Sequence, residues 1–159
     1  MILVLLGTQN NSFVRLLKEI EKCIDSRIIK EKVIAQVGNT KFDSEKMTVK
    51  NFYSQEEMLK LIDSANFIIS HGGVGSIISC IKKEKKVIAV PRLKEYKEHV
   101  NNHQIQIVQS LSEKGFIIGI KELNELSEEI NNIEKFEPKK FVSNTEKMIN
   151  KIEEYINNI

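Results

Sequence analysis

The stretch NFIISHGGVGS, residues 66–76, decides the fold of this chain. An apolar run leads directly into a loop that holds Gly72, Gly73 and Gly75, although the whole chain has only 7 glycines. Isoleucines then recur at helical spacing over residues 77–81. The stretch therefore predicts a buried strand, a tight glycine turn and a helix, which is the unit from which parallel sheets are built.

The same alternation of strands and helices runs along most of the sequence. Ser54 followed by Glu57 forms the capping box that starts a helix. The order predicts an α/β fold with an open, mostly parallel Rossmann-like sheet and helices on both faces. Strands are predicted at residues 1–6, 33–37, 48–53, 67–70, 87–90 and 116–120, and helices near residues 13–24, 54–62, 77–81, 99–114, 123–133 and 145–159.

The composition is typical of one globular domain. Of the 159 residues, 41% are hydrophobic and 29% are charged, which is enough apolar material for a sizeable core. The formal net charge of +2 is too small to indicate a nucleic-acid partner. We expect a single domain over residues 1–159, with its core in about residues 1–120 and a helical tail in about residues 121–159.

The sequence gives little support for direct insertion into a membrane. No segment approaches the roughly 20 consecutive apolar residues of a membrane-spanning helix, so we expect membrane contact to be peripheral or through a partner. The lysines at 82, 83, 85 and 86 either touch an anionic surface or form a solvated helix end, and the second is favoured. The amphipathic residues 145–159 are expected to pack on their own domain.

The two cysteines, Cys23 and Cys80, lie far apart in the sequence and have no CxxC spacing. This usage fits a reducing, cytoplasmic compartment better than a disulfide scaffold. Both lie among apolar residues with helical spacing, so we expect them to be inert core thiols.

The glycine loop (residues 70–76) is a candidate phosphate site. Ligands of parallel sheets bind at the carboxyl ends of the strands. Gly72, Gly73 and Gly75 let backbone N–H groups approach a phosphate, and the following helix directs its positive end toward the anion. Ser76 either binds the same phosphate or caps the helix. The spacing is neither GxGxxG nor that of a P-loop, and a tight turn without any ligand is the alternative.

A second polar stretch, PRLKEYKEHVNNHQ at residues 91–104, follows the neighbouring strand. The side chains of Asn102, His103 and Gln104 are of the kinds that bond sugar hydroxyls and base edges. Arg92 is a candidate partner for a diphosphate. The alternative for this stretch is a solvated loop at the start of a helix.

A third polar loop follows the first strand and contains Gly7, Thr8 and Gln9. It is expected at the same edge of the sheet, where Thr8 and Gln9 are candidates for contacts with phosphate or with an acceptor molecule. Simple helix capping is the alternative interpretation of this loop.

If the site transfers a group to a hydroxyl, it needs a general base. The candidates are His71, Glu98, His99 and His103, with His99 or Glu98 preferred. All three histidines of the chain lie in the two polar stretches.

Taken together in this order, the segments GTQ, VIAQVGN, SHGGVGSI, VPR and EHVNNHQ resemble one family. It is the C-terminal-type domain of the family 28 glycosyltransferases. The sequence is most similar to the small catalytic subunits of two-component bacterial capsular and exopolysaccharide transferases. It is also similar to the soluble subunit of the eukaryotic dolichol-pathway N-acetylglucosaminyltransferase. The resemblance covers about residues 1–119.

The resemblance implies half of an enzyme. Such subunits form the nucleotide-sugar half of a GT-B glycosyltransferase, here a hexosyltransferase that takes its sugar from a UDP-sugar donor. The acceptor would be a lipid-linked sugar. A membrane-anchored partner subunit would complete the cleft, and it is an alternative source of the general base. The chain would then be cytoplasmic and recruited to the inner face of the membrane, with no metal or other cofactor in this half.

The resemblance also assigns roles to residues. It places Gly72, Gly73, Gly75 and Ser76 in the diphosphate loop, and Asn102, His103 and Gln104 opposite the donor sugar and ribose. Gly7, Thr8 and Gln9 match the first loop at the cleft, whereas His71, Arg92, Glu98 and His99 match histidine, PR and EH positions of bacterial members. Substituting Gly73 with a bulky residue is then expected to abolish transfer while leaving the fold intact.

One departure from the family pattern concerns Ser79. Many members carry a glutamate at this position, where it bonds the ribose hydroxyls, and a serine can make only a weaker neutral bond. Two further hypotheses therefore stay open: a non-catalytic or regulatory subunit of such a transferase, and a nucleotide-binding epimerase or synthase of similar architecture.

Overall fold

The computed structural model describes residues 1–142, in which strands and helices alternate. The strands are β1 (Ile2–Leu5), β2 (Val33–Gln36), β3 (Thr48–Lys50), β4 (Phe67–His71), β5 (Lys86–Val90) and β6 (Ile118–Gly119). The α-helices are α1 (Val14–Asp25), α2 (Gln55–Ser64), α3 (Val74–Ile81), α4 (His103–Glu113) and α5 (Leu126–Asn132).

The six strands form one parallel sheet in the order β3-β2-β1-β4-β5-β6. β1 lies at its centre, so that Leu3 is paired with Ile34 of β2 on one side and with Ile68 of β4 on the other. The predicted fold class, an open parallel α/β sheet, is confirmed.

Helices cover both faces of the sheet because its central strands are apolar on both sides. In β1, Ile2 and Val4 point into the cluster that packs against α1 and α5. Leu3 and Leu5 point into the opposite cluster, which packs against α2, α3 and α4. A strand buried on both faces reads as a continuous apolar run, and that is why these strands were predictable.

The capping box at the start of α2 is present as predicted. The Glu57 N–H donates to Ser54 Oγ at 3.2 Å, and the Ser54 N–H donates to Glu57 Oε2 at 2.7 Å. These bonds, with a further one from Lys50, hold the pKa of Glu57 down at about 2. The reciprocal pair satisfies two N–H groups that the helix end would otherwise leave free.

The helix predicted from residue 99 begins only at His103. Residues Lys94–Tyr96 form a 3-10 turn instead, and Lys97 takes a left-handed conformation with φ 57°. Two asparagine side chains explain the late start. Asn101 Oδ1 accepts from the His103 N–H at 3.0 Å, and Asn102 Oδ1 accepts from the Lys94 N–H at 3.0 Å. Side-chain bonds of this kind compete with helical backbone bonds.

The remaining differences from prediction are in element length. β3 stops at Lys50, and β6 comprises two residues. The helix predicted over residues 123–133 consists of α5 between two 3-10 turns, Leu123–Glu125 and Ile133–Lys135. The predicted helix over residues 145–159 lies outside the described residues.

The two cysteines lie in the core. Cys23 and Cys80 are free and buried, and burial raises the pKa of Cys80 to about 12.

Two lysines of the cluster bond to backbone carbonyls. Lys85 Nζ donates to the carbonyls of Asp63 (2.7 Å) and Ala65 (2.9 Å), and Lys86 Nζ donates to those of Ile133 (3.1 Å) and Glu134 (2.8 Å). These two lysines therefore cap the carbonyl ends of neighbouring elements.

Over residues 1–142, every helix is too short or too polar to cross a lipid bilayer.

Candidate functional site

The site is built at the point where the chain reverses its direction across the sheet. From β1 the connection leads to β2 on one side, whereas from β4 it leads to β5 on the other. The carboxyl ends of β1 and β4 are adjacent at this point, and such switch points open a crevice between the loops that follow. The glycine loop follows β4, and Gly7 follows β1, so the topology brings together the two loops predicted to face the ligand.

His71, the last residue of β4, fills the space between these loops. It is buried, and its Nδ1 lies 3.1 Å from the carbonyl oxygen of Leu5. Because a carbonyl only accepts, Nδ1 carries the proton and Nε2 keeps a lone pair. Nε2 faces Gly7 and Gly73, and a Cβ at either glycine would overlap the imidazole ring. The ring thus explains two of the glycines without reference to a ligand.

The pKa of His71 is lowered to about 4, chiefly by burial; the charges of Arg92 and His99 act in the same direction, and the bond to Leu5 opposes the shift. The ring is therefore neutral near pH 7. A group with so low a pKa is a weak general base at that pH, which argues that His71 shapes the loops and does not abstract a proton.

The first turn of α3 is open to an incoming anion. Its N-cap is Gly73, and no side chain caps this end. Ile77 is the first residue whose N–H reaches the Gly73 carbonyl, at 3.2 Å, so the N–H groups of Val74, Gly75 and Ser76 precede the first intrahelical bond. A Cβ built on Gly75 meets nothing within 4 Å. The sequence left open whether Ser76 binds phosphate or caps the helix. Because the N-cap is Gly73, Ser76 is not the cap.

A small pocket of ≈ 210 Å³ lies beside this turn. Its polar walls are Gln36, Ser76 and Ser79, and its apolar walls are Leu5, Met58 and Ile62, with Gly75 at the rim. The Ser79 hydroxyl donates to the Gly75 carbonyl at 2.9 Å, so its proton is used within the helix. Sequence reasoning missed Gln36 and Met58. A polar residue that ends an apolar strand was the available signal for Gln36.

Arg92 lies beneath the loops and not on their surface. Only 1% of it is exposed, and its guanidinium donates to the carbonyls of Leu6 (2.7 Å), Asn11 (2.6 Å) and Glu98 (3.3 Å). It also stacks over the Phe13 ring, 5.0 Å from the centroid. Within residues 1–142, Nη1 and Nη2 make the bonds to these carbonyls, which tie the loops together, and Nε has no hydrogen-bond partner. The pairing of this side chain with a diphosphate stays a prediction.

Glu98 is likewise committed to an internal bond. Its buried carboxylate forms a two-pronged ion pair with Arg15 of α1, each bond 2.9 Å long, and accepts from the Leu93 N–H at 3.1 Å. A carboxylate held by three donors is a poor general base. Sequence reasoning missed Arg15, since nothing local links two residues that lie 83 positions apart.

The three residues at the start of α4 differ in availability. Gln104 is buried and its Oε1 accepts from the Arg92 N–H at 3.0 Å, while Asn102 Oδ1 accepts from the Lys94 N–H at 3.0 Å. His103 is exposed, with Nδ1 3.3 Å from Gln106 Oε1. Of the three predicted sugar-facing side chains, Asn102 and His103 are exposed and Gln104 is buried.

His99 is brought next to the first loop. Its Nε2 lies 3.2 Å from Nε2 of the Gln9 side chain, and its Nδ1 accepts from the Asn101 N–H at 3.2 Å. Thr8 and Gln9 are exposed. Because Nδ1 accepts, a neutral ring carries its proton on Nε2. His99 is half-buried at the edge of the crevice and, unlike Glu98, is not held in an ion pair within residues 1–142.

Within residues 1–142, no three His, Cys, Asp or Glu side chains gather closely enough to hold a metal ion. The groups arranged to meet a charged ligand are the backbone N–H donors of α3.

Comparison with known proteins agrees with this architecture. The whole chain, residues 1–159, matches the family described as the glycosyltransferase family 28 C-terminal domain. Two solved structures share its fold: MurG from Acinetobacter baumannii (TM-score 0.55, 16% identity, 83% of this chain and 40% of that one) and the glycotransferase of kitacinnamycin (TM-score 0.55, 16% identity, 82% of this chain and 34% of that one).

Two curated relatives carry the name UDP-N-acetylglucosamine transferase subunit ALG13. The Candida albicans protein is 28% identical over 109 residues, which is 69% of this chain and 36% of the relative. The Homo sapiens protein is 27% identical over 101 residues, or 64% of this chain and 8% of the relative. The match therefore spans only a minor part of each relative. With the family match over its full length, this chain belongs to the glycosyltransferase family 28 C-terminal domain family.

Proposed function

We propose that this chain is the donor-binding catalytic subunit of a two-chain glycosyltransferase. It binds a UDP-sugar and transfers the hexose to a lipid-linked acceptor in capsular or exopolysaccharide biosynthesis. A membrane-anchored partner completes the cleft and recruits the chain to the cytoplasmic face of the membrane. The observation that carries the proposal is the uncapped first turn of α3, which opens at the switch point of the sheet.

The diphosphate of the donor binds to the first turn of α3. The N–H groups of Val74, Gly75 and Ser76 have no earlier carbonyl within the helix to bond, and they point toward a negative ligand together with the helix dipole. The absence of a Cβ at Gly75 lets a phosphate oxygen reach these donors. The same groups stabilise the diphosphate as it leaves, when its negative charge grows.

The nucleoside occupies the pocket between α2 and α3. Leu5, Met58 and Ile62 supply apolar contact for a base, and the Gln36 side chain supplies polar contact. Gln36 Oε1 accepts from the Tyr53 N–H at 3.3 Å, and its NH2 group is a donor of the kind that a uracil carbonyl accepts. Ser79 faces the ribose with a neutral oxygen, so we expect weak nucleotide binding by the isolated chain.

For the base that activates the acceptor, we propose His99 or a group of the partner. The low pKa of His71 and the ion pair of Glu98 disfavour two of the three other predicted candidates. The third, His103, is exposed at the start of α4 and stays a weaker alternative. A partner is supported by the name of the Candida albicans relative, which calls that protein a subunit.

A second candidate function is a non-catalytic subunit that kept the fold. Two observations favour it: the Ser79 hydroxyl is used within α3, and the Glu98 carboxylate is occupied by Arg15. This candidate predicts that nucleotides do not bind even when the partner is present.

An NMR titration of the full chain with UDP, GDP and ADP tests the proposal. We expect UDP to shift the amide signals of Gly75 and Ser76, and GDP and ADP to do so more weakly. If none of the three nucleotides shifts these signals, alone or with the partner, the donor-binding proposal is wrong.

A further inference from the structure

The loop after β5 (residues 91–102) is clamped to the first turn of α1 by one side chain. Arg15, the second residue of α1, donates from Nε and Nη2 to the two carboxylate oxygens of Glu98, with both bonds 2.9 Å long. Only 4% of the Glu98 side chain is exposed, against 23% of that of Arg15. A guanidinium and a carboxylate paired in this two-pronged way fix each other's orientation as well as their distance.

Aromatic rings contact the same guanidinium. Its Cζ atom lies 4.7 Å from the centroid of the Tyr96 ring, which belongs to the clamped loop, and 5.5 Å from that of Phe13, which precedes α1. Arginine stacks well on aromatic faces, and its planar group is pre-organised for a carboxylate. Arg15 therefore bonds the loop through Glu98 and contacts it again through Tyr96.

Glu98 immediately precedes His99 and is held by its backbone as well as by its side chain. The Glu98 N–H donates to the Leu93 carbonyl at 3.1 Å, and the Glu98 carbonyl accepts from Arg92 Nη1 at 3.3 Å. His99 then reaches the first loop, where its Nε2 lies 3.2 Å from Nε2 of the Gln9 side chain. The position of this imidazole at the crevice thus depends on where Glu98 is fixed.

The charge of Glu98 makes Arg15 necessary for this arrangement. Without Arg15, the carboxylate would keep the bond from the Leu93 N–H at 3.1 Å but would be a buried charge that has lost its counterion. A buried ion without its partner is far less favourable than the intact pair, so the side chain would turn toward water. That movement would carry the adjoining His99 away from the first loop.

We propose that Arg15 is a positioning residue, which acts through Glu98 to hold His99 at the crevice. The inference rests on the proposed function, since His99 is there a candidate for the base that activates the acceptor. The placement of the ring is measured without any nucleotide, so this inference and the donor-binding proposal can fail independently.

NMR spectra of the imidazole rings in the full chain test the inference. The chain has three histidines, which report on three places: His71 in β4, His99 in the loop and His103 at the start of α4. In Arg15→Met we expect the ring signals of His99 to shift more than those of the two other histidines. The side-chain amide signals of Gln9 should shift with them.

Two further variants separate the effect of charge from a loss of packing. Arg15→Met combined with Glu98→Gln leaves a neutral carboxamide, which can stay buried and accept from the Leu93 N–H. We expect the His99 signals of this double variant to return toward those of wild type. Those of Arg15→Lys, which keeps the charge without the fork, should lie between wild type and Arg15→Met. Lys18→Met, at an exposed position on α1, is the matched control and should leave the signals in place.

Three results overturn the inference: ring signals of His99 that do not move in Arg15→Met, shifts of equal size in all three histidines, and a double variant that shifts as far as the single one. If Arg15→Met does not fold, Arg15→Lys takes its place, and unchanged His99 signals in that variant again overturn the inference. If His99 moves as expected while UDP, alone or with the partner, shifts neither Gly75 nor Ser76, the donor-binding proposal alone is wrong.

Discussion

The glycine loop (residues 70–76) and the loop after β5 (residues 91–102) were both predicted to bind ligand, yet they use their polar groups in opposite ways. The glycine loop ends in an uncapped helix whose first N–H groups precede any intrahelical bond. The second loop is rich in charged and polar side chains, but Arg92 and Glu98 are buried and bonded to the chain itself. A polar residue at the carboxyl edge of a sheet therefore marks either a ligand contact or a structural tie.

The largest effect on stability is expected from removing the Arg92 side chain, which bonds the loops to one another. Arg92→Ala deletes the bonds to the carbonyls of Leu6, Asn11 and Glu98 and leaves these carbonyls without their donor. We expect the free energy of unfolding to fall by about 3–5 kcal/mol, measured by urea denaturation. Lys94→Ala, an exposed neighbour, should change it by less than about 0.5 kcal/mol. If both variants are equally stable, Arg92 does not hold the loops together.

The next effect is a dependence of stability on pH that comes from His71. Its folded pKa of about 4 lies below its ordinary value of 6.5, so the unfolded chain binds more protons between these values. The stabilisation is therefore complete above about pH 6.5 and is lost as the pH falls toward 4, by about 3 kcal/mol. We expect His71→Asn to lose this pH-dependent part of the free energy of unfolding. The carboxylates titrate in both proteins, so their contribution cancels when the free energies of wild type and variant are subtracted at each pH. Identical curves would show that His71 is not buried as a neutral ring.

A comparison of two glycines within one loop separates structure from binding. At Gly73 an added methyl overlaps the His71 ring, so we expect Gly73→Ala to destabilise the fold by about 1–3 kcal/mol. At Gly75 the same methyl enters open space in a helix, so Gly75→Ala should raise stability by up to about 1 kcal/mol. Thermal unfolding measures both. The structure therefore revises the expectation that a substitution at Gly73 leaves the fold intact.

The smallest effect concerns the ribose. Ser79→Glu introduces a carboxylate that accepts charge-assisted bonds from the ribose hydroxyls, and we expect the UDP affinity to rise about tenfold. Ser79→Gln has the same length without the charge and should give a smaller gain. Calorimetric titration with UDP compares them. No gain with glutamate would favour the non-catalytic subunit over the catalytic one.

The general features of the fold were predictable because they depend on local patterns. Continuous apolar runs mark strands buried on both faces, and the Ser54–Glu57 capping box marks the start of α2. The meeting of the three polar loops at one edge also follows from the sequence, since parallel strands end at the same edge of their sheet.

The sequence does not show which polar side chains form bonds within the chain and which remain free for a ligand. The Arg15–Glu98 ion pair joins residues 83 positions apart, and the contact of His71 with Gly7 depends on the pairing of β1 with β4. The late start of α4 depends on two asparagine side chains that bond the backbone in place of helical bonds. Each of these features depends on tertiary contacts or on particular side-chain bonds, which the hydrophobic periodicity of the sequence does not predict.

The central claim is that the open turn of α3 holds a diphosphate, and the most direct test compares UDP with uridine on the wild-type chain and on Gly75→Glu. Wild type should bind UDP at least about tenfold more tightly than uridine, because the N–H groups and dipole act on the charge. Gly75→Glu should lose that difference without losing thermal stability, since an acidic residue suits a first helical turn. Ser110→Glu, exposed on α4, is the matched control and should keep the difference. An unchanged UDP-to-uridine ratio in Gly75→Glu would contradict the account.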